Sequence, residues 1–417
     1  MRPHPSARTM ATGNPVPLSA RVMYDNLAMT TATEIHGTCG SRFAAVRDAF
    51  AENFAGRGEI GAAVAAVVDG ETAVDLWAGH ADAARTRPWQ RDAIVNVFSA
   101  TKGIVTVCAH RLADQGALDI DAPVAKYWPE FAQAGKGELP VRYLLSHRAG
   151  LPAIREPLAK GSLYRWETMT AALAAQEPWW EPGTTYGYHV LTFGWLVGEV
   201  IRRIAGKSLG AYFRDEIAGP LALDLHIGLA EEHDARTAEI VQAAAPRPEE
   251  IARLAQLMAD PRSMALKAIA NPPGLFEPGV ANTRAWRAAE IPAANGHGNA
   301  RSLARLYGAL ARGGELDGVR VLGADTIDRA IVEQSSGPDA VLGQNYRYGL
   351  GFMLTLPEHP FGPNPRAFGH TGMGGAIGFA DLDAGVGFAY TMNQMGTFSG
   401  LEDPRWPPLV EALYAAL

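Results

Sequence analysis

The sequence predicts an α/β fold of the α+β kind: one antiparallel sheet built from both chain ends, flanked by helices, with an inserted helical region. Three observations predict it. Two strand-like runs near the start, 62–68 and 72–78, are joined by Asp69-Gly70-Glu71, a hairpin signal. Strand patterns return only after residue 345. Between about 120 and 330 the apolar residues recur at helical spacing. If both ends supply strands to one sheet, they must meet in space. The expected organisation is a disordered or extended segment over 1–40, a sheet domain from 41–120 and 331–417, and a mainly helical domain over 121–330.

Taken in order, Phe43, Val46, Phe50 and Phe54 recur at helical spacing and predict an amphipathic helix over 41–55. The hairpin follows. The run 94–98 is apolar and strand-like, and 103–112 is apolar nearly all round, as a buried helix is. Helices are then expected over 168–175, 191–204, 209–217, 248–258 and 301–313, separated by Pro-rich connectors at 178–183 and 271–274. The late strands are 348–355, 376–380 and 386–392, the last two flanking a turn over 381–385. A helix over 408–417 closes the chain. No period of 20–50 residues repeats, which argues against a solenoid.

Composition narrows the function. The 417 residues suffice for two or three domains or one large enzyme fold with an insertion. Hydrophobic residues make up 47%, enough for a full core. The 37 Lys and Arg against 44 Asp and Glu give a net charge of −7, which leaves no footprint for nucleic acid. No apolar run is long enough to span a bilayer. Two cysteines, Cys39 and Cys108, make no disulfide framework, and Cys108 falls in the apolar helix as a small core residue. The first 33 residues mix Pro, Ser, Arg and Thr without the apolar segment of a secretory signal, so a cytoplasmic protein is expected. Met10, Met23 and Met29 are each alternative starts. The 11 His are scattered, with no His-Glu-x-x-His and no Cys pair at ligand spacing, so neither metal nor cofactor is expected.

Chemistry concentrates at Ser99-Ala100-Thr101-Lys102. Residues three apart on a helix share a face, so the amine reaches the hydroxyl. A serine becomes a nucleophile when a neighbouring base takes its proton, and a lysine is that base once desolvation or nearby positive charge lowers its pKa. A second stretch, 182–189, holds Tyr186 and Tyr188 in a turn-rich loop; a phenol there either shuttles a proton or packs. A third, 368–375, carries Gly369, Gly372, Gly374 and Gly375, which suit backbone N–H groups aimed at an acyl oxygen, or simply a tight strand turn. Ser146 and His147 are adjacent and so do not face each other; they read as structural. Gly206-Lys207-Ser208-Leu209-Gly210 matches Gly-x-Ser-x-Gly, but a helix precedes it where that motif needs a strand. Ser208 reads instead as a helix cap. Ile201 stands where a phosphate loop needs its first glycine.

Together these residues resemble the serine β-lactamase and penicillin-binding-protein superfamily, in its class C and family VIII carboxylesterase branch. Three motifs appear in the family's order: Ser99–Lys102, Tyr188, and His370-Thr371-Gly372. Leu144 to Leu151, Pro182-Gly183-Thr184, Gly219 to Leu223 and Asn295 to Gly298 are similar too. The resemblance covers roughly 40 to 417 and implies a β-lactamase/transpeptidase-like fold. It implies Ser99, Lys102 and Tyr188 as the catalytic set, Tyr188 being chosen over Tyr186 by its offset from Pro182. It implies an oxyanion site from the backbone N–H groups of Ser99 and Met373, with Gly372 and His370 beside it. His370 is expected to line the pocket and to bond near Tyr188. Trp179, Trp180 and Tyr348 are either pocket or core aromatics. Two departures matter: Val190 replaces the Asn usual two residues after the tyrosine, and His370 replaces the usual Lys. The lost Lys would attract a substrate carboxylate, which puts β-lactams in doubt. The implied function is hydrolysis of a small ester with a short acyl chain through an acyl-enzyme on Ser99. The alternatives are acyl transfer to an alcohol or amine, or weak β-lactamase activity. No nucleic-acid or membrane partner is expected, and the oligomeric state is not legible.

Overall fold

The computed structural model describes residues 33–243, 251–252, 255, 259–260, 262–396 and 400–417. Among them, nine strands form one antiparallel sheet: β1 (Ile35–Cys39), β2 (Gly61–Val68), β3 (Glu71–Gly79), β4 (Ser335–Pro338), β5 (Asn345–Tyr348), β6 (Met353–Leu354), β7 (Ala367–Thr371), β8 (Ile377–Asp381) and β9 (Val386–Met392). The spatial order is β1-β3-β2-β9-β8-β7-β6-β5-β4. β2 and β9 pair directly, Val68 opposite Val386 and Ala62 opposite Met392. Early and late strands thus close one sheet, as the sequence predicts.

The turns follow from local chemistry. Asp69 and Gly70 have φ of +50° and +90°, the left-handed pair that a two-residue hairpin turn requires. Between β8 and β9, the buried Asp381 carboxylate accepts from the N–H groups of Asp383 and Ala384 at 3.0 and 3.2 Å. The run 348–355 departs from expectation. It is not one strand: β5 ends at Tyr348, the chain reverses through Gly349 to Phe352, and β6 returns with Met353 opposite Tyr348. Gly351 permits this with φ of +100°, and a Cβ there would press on the Thr106 side chain.

Helices cover both faces of the sheet. The helices of eight residues or more among the described residues are α1 (Ala44–Gly56), α2 (Thr101–Asp114), α3 (Trp166–Ala175), α4 (Thr192–Ala205), α5 (Ala300–Ala311) and α6 (Pro407–Tyr414). A short 3-10 turn, Ser41–Phe43, precedes α1. The expected helix over 209–217 is a helix over Leu209–Phe213 followed by a wider turn, Arg214–Ala218. The one expected over 248–258 falls largely outside the described residues. Side chains alternate along a strand. On β9, Tyr390 meets Phe50 of α1, while Gly387 meets the backbone of α5 at Ala304 and Gly308. α1 and α5 therefore lie on opposite faces. α2 is on the α5 side, since Gly103 abuts both Tyr307 and His370. Residues 34–417 form one compact unit. No helix among the described residues is long and apolar enough to cross a membrane.

Candidate active site

Ser99 sits where a short strand turns abruptly into α2. Val95–Asn96 pairs with His297–Gly298, and Val97 N–H donates to Gly296 O at 2.9 Å. Phe98 then takes φ of +46°, unfavourable for a bulky residue by about 1–3 kcal/mol. The kink is held by its own carbonyl, which accepts from Thr101 N–H at 3.0 Å and Thr101 Oγ1 at 2.5 Å. Thr101 Oγ1 in turn accepts from Gly296 N–H at 2.8 Å. The result is a half-buried Ser99 at the start of a helix whose next residues are fully buried.

Lys102 lies one turn on, with no exposed surface. Its Nζ is 3.1 Å from Ser99 Oγ, 2.8 Å from Val190 O and 2.9 Å from Ala293 O. Among the described residues no carboxylate bonds to it, and burial alone holds its pKa well below the usual lysine value. A neutral amine has two N–H bonds and one lone pair. The two carbonyls can only accept, so they take both hydrogens. In that neutral form the lone pair faces the Ser99 hydroxyl.

Tyr188 completes the group. Lys102 Nζ lies 4.6 Å from its ring centre. Burial pushes the phenol pKa up, which the neighbouring Ser99 hydroxyl only partly offsets. The loop carrying Tyr188 has no regular structure and is pinned from outside: Tyr188 N–H donates to Asp339 Oδ2 at 2.7 Å. The ring stacks on Tyr348 at 6.0 Å and leans on His147 at 5.0 Å. His147 itself is fully buried, and its Nδ1 accepts from His189 N–H at 3.1 Å. Ser146 Oγ donates to Arg142 O at 2.7 Å.

Opposite Ser99 lies the turn after β7. Gly372 packs against Val97 O so closely that a Cβ would collide with it. Gly374 and Gly375 follow with φ of +86° and +115°. Neither Ser99 N–H nor Met373 N–H donates in any of the turn and loop hydrogen bonds of the described residues. His370 N–H at Nδ1 donates to Thr371 O at 2.7 Å, which leaves Nε2 as a bare acceptor with no partner among the described residues. Burial, with Lys102 nearby, pushes the imidazole pKa down to about 3, so it stays neutral.

These residues line one cleft of about 80 Å³ together with Phe98, Phe276, Leu342, Tyr346 and Met353. Ser99, Tyr188, His370, Gly372, Met373 and Tyr348 all line it. Trp179 and Trp180 do not. The Trp179 indole donates to Ala153 O at 2.7 Å and lies 3.8 Å beneath the Arg155 guanidinium, which draws it away from the cleft. Ser208 caps the helix at Leu209, accepting from Ala211 N–H at 3.3 Å. Sequence reasoning missed the carbonyls of Val190 and Ala293, and Asp339. A lone Asp before a turn is a faint signal; a carbonyl leaves none.

The beta-lactamase family profile matches residues 46–409. The chain is 40% identical over 368 residues to the esterase/beta-lactamase LipL of Mycobacterium tuberculosis, covering 87% of this chain and 83% of that protein. Among solved structures, a family VIII carboxylesterase is 45% identical with a TM-score of 0.85, covering 92% of this chain and 100% of the other. A penicillin-binding protein homolog from Caulobacter crescentus is 41% identical with a TM-score of 0.83 over the same shares.

Proposed function

The chain belongs to the beta-lactamase and family VIII carboxylesterase superfamily, and from that membership we propose that it is a serine esterase acting through an acyl-enzyme on Ser99. The observation that carries the proposal is the set of three contacts around Lys102 Nζ, which holds the buried amine against a serine hydroxyl. Ser99 Oγ bonds to the ester carbonyl carbon as its proton passes to Lys102. The electron pair moves to the carbonyl oxygen, where the N–H groups of Ser99 and Met373 receive it. Each such donor contributes about 3 kcal/mol. Collapse expels the alcohol oxygen, and the Lys102 ammonium and Tyr188 phenol return the proton to it. Water then attacks the acyl-enzyme, gives a proton to the same pair, and Ser99 recovers it. The high phenol pKa favours Tyr188 as proton donor and Lys102 as base.

The cleft supports a small, uncharged substrate. It measures about 80 Å³. Among the described residues that line it there is no Arg, Lys, Asp or Glu. Neutral His370 supplies no cation for a carboxylate, so esters are favoured over β-lactams. Ser99→Ala is expected to lower p-nitrophenyl butyrate cleavage by about 10³-fold or more, with Ser208→Ala near wild type. A fluorophosphonate adduct located on Ser99 by mass spectrometry supports the assignment. Wild-type turnover in Ser99→Ala overturns it.

A further inference from the structure

The turn that carries Met373 is gripped from behind by a buried ionic cluster that no motif announces. Arg405 Nη2 donates to Gly374 O, and Gly396 N–H donates to the same oxygen at 3.1 Å. The guanidinium is held by Asp403, Nε to Oδ1 at 2.9 Å and Nη2 to Oδ2 at 2.7 Å. Its other edge donates to Glu59 Oε2 and to Gln394 O, both at 2.9 Å. Arg405 and Asp403 are 2% and 1% exposed. Gly375 packs directly on the pair: a Cβ there would lie 2.6 Å from Asp403 Oδ2 and 2.7 Å from Arg405 Nη2. The same segment backs the turn a second time, where Gly400 abuts the Gly372 carbonyl and its own carbonyl accepts from Trp406 Nε1 at 2.9 Å.

Burying a cation between two carboxylates is a poor route to stability, since desolvation offsets most of the attraction. The cluster's geometry accounts for it differently. Two successive glycines at positive φ make a turn with little stiffness of its own, yet an oxyanion donor works only if fixed within a fraction of an ångström. We propose that Arg405, clamped by Asp403, is a positioning residue that fixes the Gly372–Gly375 turn and so aims Met373 N–H at the acyl oxygen. The proposal rests on the esterase reading and extends it to a residue outside the cleft.

Arg405→Lys keeps the charge for the two carboxylates but lacks the planar fork that spans Asp403 and Gly374 O at once. The test measures kcat, KM and the rate of fluorophosphonate labelling of Ser99 well below each variant's Tm. Arg405→Lys is expected to lower kcat and the labelling rate at least tenfold while KM stays within threefold. Glu199→Gln, which loosens a buried ion pair on α4 with Arg202 and Arg203, is the matched control: Tm falls and the labelling rate does not. If Arg405→Lys does not fold, Asp403→Asn, which leaves Arg405 in place but slackens its clamp, carries the same expectation. Wild-type labelling in the folded variant, or equal loss in Glu199→Gln, overturns the proposal. Absence of labelling in the wild type would instead sink the esterase reading itself.

Discussion

The role proposed for Lys102 rests on what surrounds it, not on an ionic partner. Burial lowers its pKa, and two backbone carbonyls fix which way its lone pair faces. The consequence for pH follows directly. In the proposed mechanism the amine is neutral above the lowered pKa and accepts the Ser99 proton; as pH falls through that value it protonates, and activity should be lost. kcat/KM should therefore fall on an acid limb whose apparent pKa lies well below 10.5, and a rate that climbs only above pH 10 would point to a tyrosinate base instead. Lys102→Arg should lose about 10³-fold, because guanidinium remains charged and cannot take the proton. Much of this site was legible. Ser99, Lys102 and Tyr188 stand in motifs whose order is itself informative. The carbonyls of Val190 and Ala293 were not, because every residue has one and only the fold selects which two converge. Trp179 shows the converse failure: a large aromatic near the tyrosine loop suggested a pocket wall, but Arg155 and the Ala153 carbonyl hold it elsewhere.

Secondary-structure elements were legible where local chemistry decides them. Asp69-Gly70 made a hairpin because those residues tolerate left-handed φ. The run 348–355 misled because alternation continues through a tight reversal, and only contact of Gly351 with α2 reveals the turn. How closely α5 approaches the sheet was also invisible in sequence, and it sets a sharp contrast between two identical substitutions. A Cβ on Gly387 of β9 would lie 2.5 Å from Ala304 O and Gly308 Cα of α5, backbone atoms that cannot swing aside. Gly387→Ala should cost about 1–3 kcal/mol or more, by pushing helix from sheet. Gly137 has nothing within 4 Å of such a Cβ and no positive φ, so Gly137→Ala should be neutral or stabilise by about 0.4–1 kcal/mol through the unfolded chain. Urea midpoints of the two variants decide the matter. Equal shifts in the same direction would mean that the helix is not seated as closely as the glycines imply.

Among the described residues the burial that lowers the Lys102 pKa acts on five fully buried histidines as well. His110 is pushed down to about 4, and His189, His297 and His370 to about 3, in each case chiefly by desolvation. His147 is lowered well below 6.5 for the same reason, reinforced by His189, Lys102 and His370. Unfolded, each titrates near pH 6.5. Between about 6.5 and the folded values, the unfolded chain therefore binds more protons than the native one, and stability rises with pH. Read downward, stability begins to fall below about pH 6.5, and unfolding near pH 5 should take up roughly five protons. Glu59 works the other way, since burial raises its pKa above 4.5 despite Arg405, but it is one group against five. Carboxylates held low by their hydrogen-bond partners, Asp224 by His226 and Arg236, Asp234 by Arg284 and Arg287, and Glu199 by Arg202, Trp166 and Arg203, extend the loss below about pH 4. Calorimetry in buffers of different ionisation enthalpy counts those protons, and a stability profile flat from pH 7 to 5 would contradict the burial. Activity and stability thus both fail toward acid, but for separable reasons. Lys102→Met should abolish turnover while keeping the histidine-driven slope, because its own titration is removed and theirs is not.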